Sequence, residues 1–153
     1  MGKIAIFVPV YNEAETLAKL LSQVPPTILG RKTDIVVVDD ASTDGSAEIA
    51  RRYATHVSVL ERHSGVGAAT REGLETISSY PDYDYVIKFD GDGQHDINLL
   101  CQVAGMLLEG NDIVICSRFH PLSDQSHTPI DRILLNMTFT GMLRKITGWK
   151  LTD

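Results

Sequence analysis

The chain has 153 residues, 43% of them hydrophobic and 22% charged, with a formal net charge of −6. That composition suits one soluble globular domain with a substantial core, and its acidity argues against a nucleic-acid partner, because phosphate recognition needs a basic face. No apolar run approaches a membrane span and the N-terminus lacks the basic-then-apolar layout of a secretory signal, so the cytoplasm is the expected setting.

Lys3–Val10 is a β-branched apolar run, too short for a helix and suited to a buried parallel strand, with Pro9 marking its end. After Tyr11-Asn12-Glu13, a helical pattern places Leu17, Leu20, Leu21 and Val24 on one face, and Pro25-Pro26 stop it. Asp34 to Asp40 is a second buried strand ending in carboxylates. The turn Ala41–Gly45 follows, with Ser42 or Asp44 able to cap a helix from Ser46 to about Tyr53. His56 to Leu60 is a third strand, and a helix opens at Gly65-Val66-Gly67 and runs through about Ser79.

The central stretch is Tyr85 to Asp96. A short apolar run ends in Asp90 and Asp92, each followed by glycine. Residues i and i+2 share a face of a straight strand, and Gly91 and Gly93 let the backbone turn so that both carboxylates meet one ion. A hard divalent cation takes oxygen ligands, which Asp90, Asp92 and the Gln94 amide can supply. A solvated Asp-Gly turn is the plainer alternative. An EF-hand loop is excluded, since counting from Asp90 its sixth and twelfth positions are His95 and Cys101 rather than glycine and glutamate.

Asp96 then caps a helix from about Ile97 to Glu109, with Leu99, Leu100, Val103, Met106 and Leu107 as its apolar face, and Asp112–Cys116 reads as a fifth strand. A polar loop from Pro121 to Pro129 leads to a last helical pattern from about Asp131 to Ile146. Cys101 and Cys116 are expected as buried, reduced thiols. The abrupt end at Leu151-Thr152-Asp153 suggests a fragment.

Strands alternating with helices point to an α/β sandwich with a mainly parallel sheet, in which ligands bind at the carboxyl ends of strands. Pro9 to Glu13, Asp39-Asp40, Asp90 to Asp92 and Ser117-Arg118 all follow strands, so all should face one rim. The chain has no Gly-x-x-x-x-Gly-Lys-Ser/Thr loop and no Gly-x-Ser-x-Gly elbow, which argues against P-loop hydrolysis and an α/β-hydrolase. A Gly-x-Gly at the start of the third helix leaves a dinucleotide-binding domain as a remote alternative, although Thr70 stands where the third glycine belongs. A paired-carboxylate metal site beside Asp39 and Asp40, which can grip a nucleoside, suits glycosyl transfer from a sugar nucleotide. A divalent ion there acts as a Lewis acid on the departing diphosphate.

Together, Pro9-Val10-Tyr11-Asn12-Glu13, Val36 to Gly45, Gly65-Val66-Gly67-Ala68-Ala69 and Asp90 to Asp96 resemble a family 2 glycosyltransferase. The similarity is greatest to the dolichol-phosphate mannosyltransferase and polyprenyl-phosphate glycosyltransferase branch. The resemblance implies a GT-A fold over residues 1–153, truncated at the C-terminus, and an inverting, metal-dependent reaction. Pro9, Tyr11, Asn12 and Glu13 would line the nucleotide, with Asp39 and Asp40 at its base or ribose. Asp90 and Asp92 match the Asp-x-Asp motif for Mg²⁺ or Mn²⁺, with Gln94 as a third ligand. Ser117, Arg118 and Arg132 would meet an acceptor phosphate, although Arg132, Arg144 and Lys145 also read as the polar face of a helix. Asp153 would serve as base toward a hydroxyl acceptor. The implied partners are a UDP- or GDP-sugar and a polyprenyl or dolichyl phosphate, with the protein peripheral at the cytoplasmic face of a membrane. A non-catalytic nucleotide-sugar-binding domain is the alternative.

Overall fold

The computed structural model describes residues 2–91, 97–116, 138–142 and 144–146. These fall in two compact units, Met1–Asp112 and Ile113–Asp153. In the first, the elements run β1 (Lys3–Val10), α1 (Ala14–Ser22), β2 (Thr27–Ile28), β3 (Arg31–Asp39), α2 (Ser46–Tyr53), β4 (His56–Val59), α3 (Val66–Ser78), β5 (Tyr83–Lys88) and α4 (Leu99–Leu108).

β1 is the central strand. It pairs in parallel with β3 on one side and β5 on the other, β4 adds in parallel to β3, and only the short β2 runs antiparallel, against the start of β3. The observed sheet is therefore mainly parallel, as expected for consecutive strands joined by helices. Its central strand is buried on both faces. Ala5 and Phe7 join Val36, Val38 and the α3 residues Ala69 and Ile77 in one core cluster. Strand alternation sends Ile4, Ile6 and Val8 to the opposite face, where they are equally buried.

Pro9 sits inside β1 rather than ending it, in register with Val38. Its missing donor costs nothing there. Phe7 presents its carbonyl to the β5 side, where it accepts from the Phe89 N–H at 2.8 Å. Pro9, two residues on, faces the same way, beyond the last β1–β5 pair at Phe7 and Lys88.

Two further expectations need correction. Asp112–Cys116 forms no strand: no described residue pairs with it, and Ile113 and Ile115 are exposed. An apolar alternation without a ladder partner has nothing to make it a strand. Both cysteines are exposed rather than buried. Cys101 lies about 100° around α4 from Leu100, and that helix buries Leu100, Ala104 and Leu107, leaving Met106 in solvent. The two-residue β2 and its turn were also unanticipated; Leu29 and Gly30 both adopt positive φ, as a tight hairpin of this kind requires.

In the second unit, residues 138–142 and 144–146 are helical, with Phe139, Met142 and Ile146 exposed and Thr140 buried. Asp92, Gln94, His95, Asp96, Ser117, Arg118, Arg132 and Asp153 lie outside the described residues.

Candidate active site

The carboxyl ends of β1, β3 and β5 meet at one cavity of about 330 Å³. Its wall brings together Pro9, Tyr11, Glu13, Asp40 and Asp90 from the expected set, with Val10 and Gly91, and adds His63, Val66 and Ala69. A wider cavity of about 430 Å³, along Leu60 to Arg62 and the outer face of α3, contains none of the expected residues. The convergence therefore follows strand order, as the switch-point rule requires.

Two loops form the near side. Tyr11 to Glu13 and Ala41 to Ser46 are clasped by side chains that satisfy each other's backbone. The Asn12 N–H donates to Ser42 Oγ (2.9 Å), that of Glu13 to Ser46 Oγ (2.9 Å) and that of Ala14 to Asp44 Oδ2 (2.9 Å). In return, the Thr43 N–H donates to Asn12 Oδ1 at 2.9 Å. Asp44 also accepts from the Ser46 N–H and hydroxyl, so one carboxylate serves the starts of both α1 and α2. That hydroxyl holds the Asp44 carboxyl below its ordinary range, with the Ala14 and Ser46 N–H groups adding to the effect. The clasp also holds Asn12 and Ala41 at positive φ, a conformation costly for residues with a Cβ. Asn12 thus spends its side-chain oxygen on the neighbouring loop and is not part of the cavity wall.

Asp39 and Asp40 divide the work at the end of β3. Asp39 is fully buried and is not part of the cavity wall; its Oδ1 accepts the Ser42 N–H at 2.7 Å, while its Oδ2 has no partner among the described residues. Asp40, also buried, reaches toward the loop before α3. It accepts the Ser64 N–H at 2.8 Å and the Gly65 N–H at 2.7 Å, and His63 Nδ1 lies 2.9 Å from its Oδ2. Gly65 has φ of 88° and ψ of 163°, which a residue with a Cβ rarely adopts, so the glycine permits the turn that aims its N–H at Asp40. Gly67 has open space around it and makes no close approach.

On the far side, Asp90 sits at the rim with a Lys88 ammonium against its carboxylate. Gly91 packs tightly: a Cβ there would lie 3.3 Å from the Pro9 carbonyl oxygen and 3.4 Å from Val10 Cγ2. The Gly91 carbonyl accepts the Thr16 hydroxyl at 3.1 Å, which ties the end of β5 to α1. Among the described residues no cluster of three metal-binding side chains forms; Asp90 shares the cavity wall with the carboxylates of Glu13 and Asp40, the oxygen-donor chemistry a hard cation takes.

His63 is the residue the sequence did not reveal. Its ring stacks on Tyr11, with centroids 3.8 Å apart and planes at 21°. Asp40 stands 23 positions upstream, so only the pairing of β3 with β4, which sets their following loops side by side, joins them.

Residues 5–153 match the family model Glycosyl transferase family 2. The chain belongs to that family. It is 34% identical to Glycosyltransferase AglJ of Haloferax volcanii over 89% of its own length and 44% of that protein's. With the dolichol-phosphate mannosyltransferase of Pyrococcus furiosus it shares 28% identity over 88% of this chain and 38% of that one. With the polyprenol monophosphomannose synthase of Mycolicibacterium smegmatis the figures are 30%, 97% and 57%. The chain thus spans about half the length of these relatives. Among solved structures, a glucosyl-3-phosphoglycerate synthase from Mycobacterium tuberculosis, in complex with Mn²⁺ and UDP-glucose, aligns with a TM-score of 0.56 at 21% identity, covering 72% of this chain and 40% of that one. The architecture is the GT-A fold. Membership in this glycosyltransferase family removes the dinucleotide-binding alternative, and α3 accordingly follows β4 rather than the first strand.

Proposed function

We propose that this family 2 glycosyltransferase binds a nucleoside-diphosphate sugar, UDP- or GDP-linked, in the cavity at the ends of β1, β3 and β5 and passes the sugar to a polyprenyl or dolichyl phosphate with inversion. The supporting observation is the meeting of Pro9, Tyr11, Glu13, Asp40 and Asp90 in one wall. The names of the relatives that act on lipid phosphates support the acceptor class. Among the described residues no helix is long and apolar enough to cross a membrane, and the proposed station is peripheral, at its cytoplasmic face.

In this reading Tyr11 offers a half-exposed ring to the nucleobase, and Pro9 and Glu13 border the nucleoside. Asp40 holds the loop that closes that side, and buried Asp39 holds the turn at Ser42 beside it. Asp90, completed by Asp92 and Gln94, would hold Mg²⁺ or Mn²⁺; when bound, such an ion neutralises charge developing on the diphosphate. A solved neighbour that holds Mn²⁺ together with UDP-glucose supports that assignment. An acceptor phosphate oxygen, oriented by Ser117, Arg118 and Arg132, forms the new bond to the anomeric carbon as the bond to the diphosphate breaks with its electron pair. A guanidinium suits such bidentate phosphate binding. The attacking oxygen is already anionic, so no strong base is needed; with a hydroxyl acceptor, Asp153 would take the proton.

Incubation with UDP- and GDP-sugars, polyprenyl phosphate and Mn²⁺ tests the reading. It predicts a polyprenyl-phosphate sugar whose anomeric configuration, read by NMR, is opposite to the donor's. Nucleotide binding with no glycosyl product would leave a binding domain alone, and a retained configuration would contradict the mechanism.

A further inference from the structure

We propose that His63 is a specificity-determining residue of the nucleotide site: held against buried Asp40 and stacked face to face on Tyr11, it forms with that tyrosine a pair of rings whose outer face receives the nucleobase. This role presupposes that the cavity receives a nucleoside diphosphate.

Three features support it. His63 is half exposed, with 52% of its side chain accessible, yet it is fixed at two points, through Nδ1 to a carboxylate only 3% accessible and through its ring face to Tyr11. A surface histidine with no task would keep its rotamer freedom. The carboxylate that holds it is itself pinned by the Ser64 and Gly65 N–H groups, so the anchor is rigid. The two rings are both cavity-lining, and their 3.8 Å spacing is that of stacked aromatic planes. A base has a π-face whatever its identity, so stacking supplies affinity. Hydrogen bonding at the ring edge supplies choice between bases, and with Nδ1 committed to Asp40 the imidazole's remaining polar atom is Nε2.

The test separates base from diphosphate. UDP, GDP and inorganic pyrophosphate, each with Mn²⁺, are titrated into the wild-type protein, His63→Ala and His63→Phe, and the ligand-free melting temperature of each variant verifies folding. The expected result is that His63→Ala weakens the preferred nucleotide by about tenfold while pyrophosphate changes by less than about twofold, and that His63→Phe, which keeps a ring but lacks Nε2, recovers most of the affinity while the ratio of UDP to GDP affinity moves toward one. Unchanged nucleotide affinity in His63→Ala, an equal loss for pyrophosphate, or no recovery in His63→Phe would overturn the assignment. If the wild-type protein binds pyrophosphate but neither nucleotide, the reading of the cavity as a nucleotide site falls first.

Discussion

The two ends of the sheet use the same residue type in opposite ways. At the amino-terminal end, aspartates are matched by long cationic side chains: Lys3 Nζ lies 2.9 Å from Asp34 and 3.0 Å from Asp82, and Arg31 pairs with Asp84. The Tyr83 hydroxyl adds a 3.0 Å bond to Asp34. At the carboxyl end, Asp39, Asp40 and Asp44 are held by backbone N–H groups, and their bonds shape loops, while Asp90 at the rim keeps a cationic partner in Lys88. The first arrangement neutralises charge and tacks strands together. The second builds a cavity and leaves oxygen atoms near it. Position along the strand, not residue type, decides whether an aspartate ties strands together or borders the cavity.

The sharpest way to break this contrast is at Asp40. Asp40→Ala strands two backbone donors, so it should lower stability by about 2 kcal/mol and weaken nucleoside-diphosphate binding by about a hundredfold. Denaturant unfolding and titration of UDP and GDP measure the two effects; intact binding would remove Asp40 from the site. Gly91→Ala comes next. With the Pro9 carbonyl 3.3 Å from the added Cβ, the rim must shift by a few tenths of an ångström, which should cost nucleotide affinity about tenfold and stability about 1 kcal/mol.

The amino-terminal end should respond in stability alone. Tyr83→Phe removes one hydrogen bond to Asp34, predicting a loss of about 1 kcal/mol with nucleotide affinity unchanged. A change in affinity would mean that the two ends are coupled.

The smallest effect is one of pH and salt. Lys3 and Arg31 hold the Asp82 and Asp84 carboxyls below the ordinary range. Their contribution is therefore present above the unfolded-state value, about 3.9 for aspartate, and is lost as pH falls through the depressed native values. Both side chains are about half exposed, so salt should shrink this part. Asp44 is depressed chiefly by the neutral Ser46 hydroxyl, so its share should survive salt. Acid unfolding at low and high ionic strength, with Asp44→Asn as comparison, reads the difference.

Much of this was legible because β1 and the later part of β3 are near-continuous apolar runs, and β3 and the run through β5 lead into carboxylates. β1 was read at its observed bounds, and the sorting of Pro9, Tyr11, Glu13, Asp40 and Asp90 to one rim followed from strand order alone. What stayed hidden depends on neighbours distant in sequence. The start of β3, Arg31 to Thr33, looks like loop because its polar residues face partners on β2 and the ion-pair cluster. Asp112–Cys116 has strand composition but no described partner. His63 draws its meaning from Asp40 and Tyr11, and no local pattern announces either contact. Asp44 was readable as a cap, though not as a cap shared by two helices.

The central claim is that Asp90 stands where a divalent ion meets a nucleoside diphosphate. Calorimetric titration of UDP and GDP, with Mn²⁺ and with a chelator, into wild-type protein and Asp90→Asn tests it most directly. The account predicts Mn²⁺-dependent binding of one nucleotide to the wild type, weakened at least about tenfold in Asp90→Asn. Binding that is indifferent to both the metal and the substitution would contradict it.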